Sequence, residues 1–447
     1  MPATSAPLQA HLGARWAAGV ETTPEAAFAA LEVEACDVVW LDSSSEGSHL
    51  IGTGAHVLVV RDGRAELDGE PVPGDALAAL EAARAALPGP WVGWLGYESG
   101  VRMLGLDPVG DAGPGADADP GGDADPGARF PEAAWLLLDR WVVVDGRSAQ
   151  LQSRDGEPWS LPEAEPRLPS MATIDPAQLR WRDDDAGYAE KVERCRAHIR
   201  EGDSYVLCLT TAIEAPPIDA VATHGRLRSA SPVHHGGLLR IAGVTVSSAS
   251  PETFLRVEGG IATTRPIKGT RRRGADDDAA LALELYESEK ERAENVMIVD
   301  LCRNDLQRVC APGTVEVTSL LGVESYPTVH QLVSTVQGRL LPGVGPLDTV
   351  RALFPAGSMT GAPKRRTVEL LQALEGGRRG VYSGCFGLVA GETCHLAMVI
   401  RSVVADAHGT HIGVGGGITA LSEPAFEVEE LHVKAAALLA SLVPRDD

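Results

Sequence analysis

Strand-like and helix-like segments follow one another along almost the whole chain, and this mixture constrains the possible fold more than any other sequence feature. Apolar, β-branched runs predict strands at residues 35–41, 133–144 and 205–213. Amphipathic spacing predicts helices at residues 184–199 and 423–442. Because strands and helices are mixed throughout, we predict an α+β fold with large antiparallel β-sheets packed with helices.

The length of 447 residues is enough for two or three domains. Residues 158–170 are rich in proline and predict a linker, so we expect a boundary near residue 172. An N-terminal α+β region, 1–171, would then precede a domain, 172–447, that carries the candidate site. Residues 107–128 consist mainly of Gly, Asp, Pro and Ala, which cannot bury a core, and predict a flexible acidic loop.

Composition excludes several classes of protein. The formal net charge of −23 argues against a nucleic-acid partner, because phosphate binding needs clustered Lys and Arg. The seven cysteines are scattered, odd in number and without C-x-x-C spacing, so we expect reduced thiols. No apolar run is long enough to cross a bilayer, and the first residues lack a signal-peptide pattern. We therefore expect a cytoplasmic protein without a membrane partner.

Two helix-like segments each carry carboxylates three residues apart. Glu291 and Glu294 share a face of the first, and Glu427, Glu430 and Lys434 share a face of the second. Each set alone is typical of a solvated helix surface. Together they predict a Mg²⁺ site, because Mg²⁺ prefers oxygen ligands and is often completed by the substrate.

Glycine-rich stretches and a lysine add to this hypothesis. Residues 357–364 lead into a predicted helix, and residues 413–417 precede the second carboxylate helix. Such turns can present backbone N–H groups to an anion, although neither matches the spacing of a phosphate-binding loop or a dinucleotide fingerprint. Lys268 follows Glu252 by 16 positions, and on its own it is typical of a solvated lysine. With the carboxylates it indicates chemistry on a small anionic substrate.

The order of these and further motifs resembles the chorismate-utilising enzymes. The motifs are SPE (250–252), TRPIKGT (264–270), ERAENVMIVDLCRND (291–305), YPTVHQLVST (326–335), FPAGSMTGAPK (354–364), VYSGCFG (381–387), AMVIRS (397–402) and GVGGGI with two Glu and a Lys (413–434). This family includes component I of anthranilate and aminodeoxychorismate synthases, and isochorismate and salicylate synthases. The resemblance covers residues 180–440. WLDSS (40–44) and WVGWLGYE (91–98) resemble the N-terminal half of the amino-transferring members.

The resemblance implies a role for each matching residue. Glu294 and Glu430 would hold Mg²⁺, with Glu291 and Glu427 beside them, and the ion would bind the ring carboxylate of chorismate. Glu252 would be the general acid that helps the C4 hydroxyl leave. The residues implied in substrate binding are Thr270, His330, Thr360, Tyr382, Arg401, Gly415, Gly416 and Lys434. Among these, an arginine suits a carboxylate because it is a planar bidentate donor.

Lys268 distinguishes the branches of the family. PIKG (266–269) resembles the aminodeoxychorismate synthase pattern, whereas PIAG marks the other branches. As nucleophile at C2, the lysine would displace the C4 hydroxyl with an allylic shift, and ammonia at C4 would then expel the lysine. The product would be 4-amino-4-deoxychorismate, for para-aminobenzoate and folate or for a specialised arylamine. The lysine must attack as a neutral amine, so we expect a lowered pKa.

Two alternatives stay open. The first is component I of anthranilate synthase with an atypical lysine, making the 2-amino product. The second is a catalytically idle binding or regulatory subunit, against which Lys268, Arg401 and the carboxylates argue. Val206 stands where water-adding relatives have a lysine base, which counts against isochorismate and salicylate synthases.

The resemblance also implies partners. No glutaminase-type segment is visible, so ammonia would come from a separate glutamine amidotransferase subunit. Residues 41–43, Leu-Asp-Ser, stand where feedback-regulated anthranilate synthases have Leu-Glu-Ser. Asp42 argues against inhibition by tryptophan, whereas a structural tryptophan in the N-terminal region stays an open alternative.

Overall fold

The structure is a computed structural model that describes residues 12, 14–43, 47–109, 125–164, 174–274, 277–326 and 328–442. Within these residues the strands are β1 Trp16–Glu21, β2 Val38–Ser43, β3 Ser48–Thr53, β4 His56–Arg61, β5 Arg64–Leu67, β6 Glu70–Val72, β7 Trp91–Leu95, β8 Ala133–Leu137, β9 Arg140–Asp145, β10 Ser148–Ser153, β11 Arg180–Trp181, β12 Val206–Ala215, β13 His235–Ile241, β14 Val244–Ser250, β15 Thr253–Glu258, β16 Ile261–Arg265, β17 Ile267–Arg272, β18 Glu316–Ser325, β19 Val329–Arg339, β20 Gly361–Ala362, β21 Cys385–Ala390, β22 Thr393–Met398, β23 Ser402–Ala405 and β24 Thr410–Ile418. The helices are α1 Pro24–Glu34, α2 Ala76–Ala86, α3 Tyr97–Met103, α4 Asp185–Glu201, α5 Ala220–Ala230, α6 Asp278–Glu287, α7 Glu289–Gln307, α8 Pro346–Leu353, α9 Lys364–Glu375 and α10 Pro424–Leu442.

Two large antiparallel sheets organise these elements. The first runs in the order β1-β10-β9-β3-β2-β13-β14-β23-β24-β12-β11, with β20 also on β12. The second runs in the order β17-β19-β16-β15-β22-β21-β7-β8-β4-β5-β6, with β18 also on β19. Each sheet therefore combines strands from the beginning and from the end of the chain. The predicted α+β fold with large antiparallel sheets is confirmed.

The cores lie on the faces of these sheets. One core cluster contains Val39 and Leu239 from the first sheet together with Trp94 and Leu388 from the second, so the two sheets pack face to face. A second cluster covers the first sheet with apolar residues of α4, α9 and α10. A third includes residues of the second sheet with α2, α7 and α8. The carboxylate helices α7 and α10 are thus fixed by burial of their apolar faces.

Local signals place several helix ends. The Ser288 hydroxyl accepts a hydrogen bond from the backbone N–H of Glu291 at 3.5 Å and so caps the N-terminus of α7. Helix α4 ends at Gly202, whose φ of +83° is a left-handed conformation that glycine adopts without strain. The predicted helices at 184–199 and 423–442 are confirmed within two residues.

The run 133–144, predicted as strand, is interrupted. It forms β8 and β9, which belong to different sheets. Between them, Asp139 accepts hydrogen bonds from Arg154 and from the backbone N–H of Ala55, which hold the chain at this corner. A run of apolar residues signals burial but carries no information on which sheet buries it.

The strand pairing bears on the predicted division of the chain near residue 172. Residues 110–124 of the predicted loop, residues 165–170 of the predicted linker and the boundary at 172 lie outside the described residues. Both sheets contain strands from both sides of that boundary, for β2 pairs with β13 and β7 pairs with β21. All seven cysteines are free, with Cys36 exposed and the others buried. Among the described helices, none combines the length and apolar character needed to cross a membrane.

Candidate active site

Lys268 lies on β17, where the strand is irregular. The register of β17 against β19 shifts between Ile267 and Thr270, and Gly269 in this stretch has a φ of +85°. The Lys268 Nζ donates to the carbonyl oxygen of Ser358 at 3.5 Å and lies 4.0 Å from Glu294 Oε2. The lysine is therefore directed at the carboxylate face of α7.

The electrostatic state of Lys268 differs from the sequence expectation. Burial acts to lower the pKa of the amine, but Glu294, Glu252 and Glu291 together with Cys208 act in the opposite direction, and the pKa is raised. The expected lowered pKa is therefore wrong. The physical reason is that the carboxylates predicted to hold a metal surround the amine.

Glu252 lies on the other side of Ser358. The Ser358 hydroxyl donates to Glu252 Oε1 at 2.7 Å, and the same residue's carbonyl accepts from Lys268. Burial raises the pKa of Glu252 to about 7, although Ser358 and Lys268 act to lower it. A buried carboxyl with this pKa can stay protonated near neutral pH and donate a proton. Ser358 was not predicted as a site residue, although it lies in the motif at 354–364.

The four predicted metal ligands lie on the facing helices. On α7, Glu294 is buried, and burial raises its pKa to about 7 while Lys268 lowers it and Glu291 and Glu430 raise it further. Glu291 Oε1 lies 3.7 Å from Arg271 Nη1. Because Glu291 of α7 and Glu430 of α10 both raise the pKa of Glu294, carboxylates of the two helices are close enough to interact electrostatically.

On α10, Glu427 is buried and Glu430 is partly exposed. Lys290 Nζ lies 2.6 Å from Glu427 Oε1 and 3.8 Å from Glu430 Oε2. Lys434 Nζ lies 2.6 Å from Glu430 Oε1, and its charge lowers the pKa of Glu430 to about 2. Lys290 was not predicted, because it falls one residue before the motif at 291–305.

The glycines of β24 leave space beside these groups. A Cβ at Gly417 would lie 3.0 Å from Glu294 Oε2 and 3.4 Å from Lys268 Nζ. A Cβ at Gly416 would lie 3.4 Å from Lys434 Nζ and 3.6 Å from Glu427 Oε2. The missing side chains thus form a cradle between β24 and the two helices.

Oxygen donors from two helices around this cradle fit a divalent cation such as Mg²⁺. The ligand atoms are not gathered, however. Among the described residues, the group whose possible ligand atoms all lie within 4.8 Å of one another is His198, Glu201 and Asp203, at the end of α4. The glutamates of the site are instead paired with lysines and an arginine.

Four predicted substrate-binding residues lie on or near α10. Lys434 Nζ donates to the carbonyl of Gly415 at 2.9 Å, and Arg401 donates to the carbonyl of Lys434 at 3.3 Å. Burial lowers the pKa of Arg401, and Tyr382 and Glu430 act against this, so the three side chains share one region. The Tyr382 ring packs on Gly413, where a Cβ would lie 2.1 Å from ring atoms. This group of donors can bind a carboxylate.

Other predicted residues have different surroundings. Both ring nitrogens of His330 are engaged, Nδ1 by Ser325 at 2.8 Å and Nε2 by Asp278 at 3.0 Å. Thr270 is exposed on β17. The Thr360 hydroxyl donates to the carbonyl of Ala356 at 2.9 Å. Among the described residues, no hydrogen bond or ion pair joins these three to Lys268 or Glu252.

Two further positions bear on the alternatives. Val206 is buried in an apolar core, and a valine side chain supplies no base. Asp42 is buried and engaged by Arg228 at 2.6 Å and by His49 at 2.9 Å. Arg228 thus hydrogen-bonds one carboxylate oxygen of Asp42, and His49 lies against the other, which makes no hydrogen bond with the described residues.

Comparison with known proteins identifies the family. The family described as chorismate binding enzyme matches residues 36–440. The chain belongs to this family. The match includes both carboxylate helices, Lys268 and Glu252, and it extends through both sheets.

Relatives in the family carry different activities. The chain is 40% identical to the aminodeoxychorismate synthase of Streptomyces pristinaespiralis over 79% of this chain and 50% of that protein. It is 36% identical to anthranilate synthase component 1 of Streptomyces coelicolor over 83% of this chain and 78% of that protein. The chain spans about half the length of the aminodeoxychorismate synthases from Streptomyces that it matches.

Solved structures agree on the fold. Anthranilate synthase component I from Streptococcus pneumoniae superposes with a TM-score of 0.75 at 24% identity, covering 88% of this chain and 92% of that one. The menaquinone-specific isochorismate synthase of Escherichia coli superposes with a TM-score of 0.73 at 15% identity, covering 97% of this chain and 96% of that one. The two-sheet architecture is thus the fold of the family.

Proposed function

We propose that the chain is component I of an aminodeoxychorismate synthase, converting chorismate and ammonia to 4-amino-4-deoxychorismate. The observation that carries the proposal is the pair formed by Lys268 and Glu252, which contact the carbonyl and the hydroxyl of the same residue, Ser358. One group is an amine that can act as nucleophile, and the other is a carboxyl that can donate a proton near neutral pH, because burial raises its pKa to about 7.

The chemistry then divides into two displacements. The neutral amine of Lys268 bonds to C2, the ring double bond shifts, and the C4–O bond breaks as Glu252 gives its proton to the leaving hydroxyl. Ammonia next bonds to C4, the double bond shifts back, and the bond from C2 to Lys268 breaks. The new C4 amine then carries one excess proton. Glu252, which is a carboxylate at that stage, takes this proton, so both groups become neutral.

The carboxylates of α7 and α10 would hold Mg²⁺, with Glu294 and Glu430 as ligands and Glu291 and Glu427 beside them. A bound Mg²⁺ supplies positive charge for the ring carboxylate of chorismate. Among the groups that raise the pKa of Lys268, Glu294 acts most strongly. If a cation neutralised the charge of Glu294, burial would favour the neutral amine that the first displacement needs.

The enolpyruvyl carboxylate has its own partners in this proposal. Arg401 is close enough to Tyr382 for its charge to act on the phenol, and Arg401 Nη1 donates to the backbone carbonyl of Lys434 on α10. Burial raises the pKa of Tyr382 well above its usual range, so the phenol stays a hydrogen-bond donor. A guanidinium and a phenol together can fix the carboxylate and so orient C2 toward Lys268.

A second candidate is the 2-amino reaction of anthranilate synthase. The similarity to anthranilate synthase component 1 of Streptomyces coelicolor favours it. In that reaction ammonia would attack C2 directly, and Lys268 would have no covalent role. The two candidates therefore differ in the product and in the fate of the lysine.

The source of ammonia is part of the proposal. We expect a glutamine amidotransferase subunit to supply it, so the purified chain should use ammonium salts, and should use glutamine only when such a subunit is added.

A structural tryptophan in the N-terminal region stays a hypothesis. Asp42, which stands where feedback-regulated anthranilate synthases have Glu, is already paired with Arg228 and His49.

The deciding experiment is on Lys268. The chain is held with chorismate and Mg²⁺ but no ammonia, and its intact mass is measured; an adduct that maps to Lys268 is expected. With ammonium, Lys268→Ala should make 4-amino-4-deoxychorismate at least about a hundredfold more slowly, or about 3 kcal/mol of barrier. Near-normal 4-amination by Lys268→Ala, with no adduct in the wild type, would mean that the lysine is not the nucleophile. A 2-amino product from the wild type would favour the second candidate.

A further inference from the structure

Lys290 is the basic residue that joins the two carboxylate helices. It lies in the first turn of α7, and its Nζ reaches across to α10, 2.6 Å from Glu427 Oε1 and 3.8 Å from Glu430 Oε2. The side chain is largely shielded, with 29% of its surface exposed. The contact therefore connects the part of α7 that carries Glu291 and Glu294 with the acidic face of α10.

The two carboxylates of α10 depend on this lysine to different degrees. Glu430 has a second partner, because Lys434 Nζ lies 2.6 Å from its other oxygen. Glu427 is only 2% exposed, and its ion pair among the described residues is with Lys290. Removing one partner of a buried ion pair leaves an uncompensated charge, which is strongly unfavourable. Lys290 thus neutralises Glu427 in the way that a bound cation would.

The same position makes the lysine a competitor of a bound cation. Glu427 Oε1 already accepts a hydrogen bond from the Lys290 ammonium, and Glu427 Oε2 faces Gly416 in the cradle. A dication bound through either oxygen would lie within a few ångströms of a like charge that is shielded from solvent, where repulsion is weakly screened. The ammonium must therefore withdraw for the carboxylates to close around an ion. This agrees with the finding that the four glutamates are not gathered within 4.8 Å of one another.

We propose that Lys290 is a resident counter-ion of the carboxylate set, a positioning residue that pairs with Glu427 and Glu430 until Mg²⁺ displaces it. The lysine keeps α7 and α10 packed without the ion and weakens the affinity for Mg²⁺ alone. The inference rests on the Mg²⁺ site of the proposed function, but not on the identity of the product.

The test measures Mg²⁺ binding to the full chain without substrate, by calorimetry and by the melting temperature with and without Mg²⁺. Lys290→Met, which keeps the length of the side chain, should bind Mg²⁺ about tenfold more tightly. Without Mg²⁺ it should melt several degrees below the wild type, and Mg²⁺ should restore most of the difference. Lys290→Arg keeps the charge and should bind Mg²⁺ as weakly as the wild type.

The matched control is Arg303→Met. It removes one positive charge from the same helix, where Arg303 pairs with the exposed Asp300 at 3.1 Å, and should leave the Mg²⁺ affinity unchanged. Equal affinities of wild type and Lys290→Met, or equal tightening in Arg303→Met, would overturn the proposal. If Lys290→Met does not fold even with Mg²⁺, Lys290→Gln is judged by the same criterion. If the wild type itself binds no Mg²⁺, the metal site of the proposed function fails instead.

Discussion

Ser358 connects the two chemical groups of the candidate site at the scale of single residues. Its hydroxyl donates to Glu252 and its carbonyl accepts from Lys268, so one residue sets the positions of the acid and the amine. The hydrogen bond also lowers the pKa of Glu252, against the stronger effect of burial. A change at this residue should therefore appear first in the pH dependence of the reaction.

We expect Ser358→Ala to shift the alkaline limb of the pH profile of kcat/KM upward. The acid must be protonated to act, so activity falls as pH rises through the pKa of Glu252, about 7. Removing the serine hydroxyl takes away a bond that favours the carboxylate, so the pKa rises and the protonated acid persists to higher pH.

A control for this change is Ser441→Ala, which removes a buried hydroxyl that donates to the carbonyl of Leu438 on α10, far along the helix from Glu427. Its pH profile should match that of the wild type. A downward shift in Ser358→Ala, or an equal shift in both variants, would contradict the role given to Ser358.

Single residues also show the limit of sequence reasoning. The motif order named Lys268 and Glu252, but their common partner Ser358 was unmarked inside its motif. His330 is expected at the substrate, and the sequence does not show that Asp278, 52 positions away on α6, engages its ring. Motif order reports which residue types recur in sequence, and it carries no information on contacts that depend on how two distant elements meet.

At the scale of elements, α7 and α10 face each other with acidic surfaces. Their apolar faces are buried in two different clusters, with Ile298 and Val299 in one and Leu431 and Ala435 in the other. The 3.6-residue period predicted both helices and their carboxylate faces. The distance between the helices, and the lysine that spans it, depend on the packing of the sheets beneath them.

We expect Glu430→Gln to weaken Mg²⁺-dependent turnover by at least about a hundredfold at limiting Mg²⁺. Mutating a residue that only hydrogen-bonds a metal ligand already lowers metal affinity or activity by about 10–100-fold, and a direct ligand should matter at least as much. The fold should persist, since the Glu430 side chain is 44% exposed. Turnover is measured against Mg²⁺ concentration at saturating chorismate. Glu429→Gln, at the exposed neighbouring position of α10, should behave like the wild type. Unchanged Mg²⁺ dependence in Glu430→Gln would remove Glu430 from the ligand set.

At the scale of the whole molecule, the N-terminal region supports the site. Arg379 is buried and donates to two backbone carbonyls, that of Met359 at 2.7 Å and that of Cys208 at 2.8 Å. Met359 follows Ser358 in the chain, and Cys208 pairs with Gly417 in the first sheet. The backbone N–H of Arg379 donates to Glu98 of α3 at 2.8 Å. The segment at 91–98 is therefore connected to the loop that holds Ser358, which the sequence could not reveal.

The sheets make the same point on a larger scale. Strand β13 has β2 as its neighbour, with Leu238 opposite Trp40, and β21 has β7, with Phe386 opposite Trp94. Removing the N-terminal region would expose the backbone groups of two long strands and the apolar faces that pack on them. Exposed apolar edge strands favour aggregation.

We therefore expect a fragment of residues 172–447 not to fold on its own, although it contains Lys268, Glu252 and all four predicted metal ligands. Expressed alone, it should be insoluble or lack the near-ultraviolet circular dichroism of the full chain, and it should not turn over chorismate. Co-expression with residues 1–171 should restore part of the soluble, active protein, because β2 and β7 can then pair with β13 and β21. A soluble fragment 172–447 with a cooperative unfolding transition and normal Mg²⁺-dependent turnover would show instead that the two segments are independent domains, and that the shared sheets contribute little to the stability of the site.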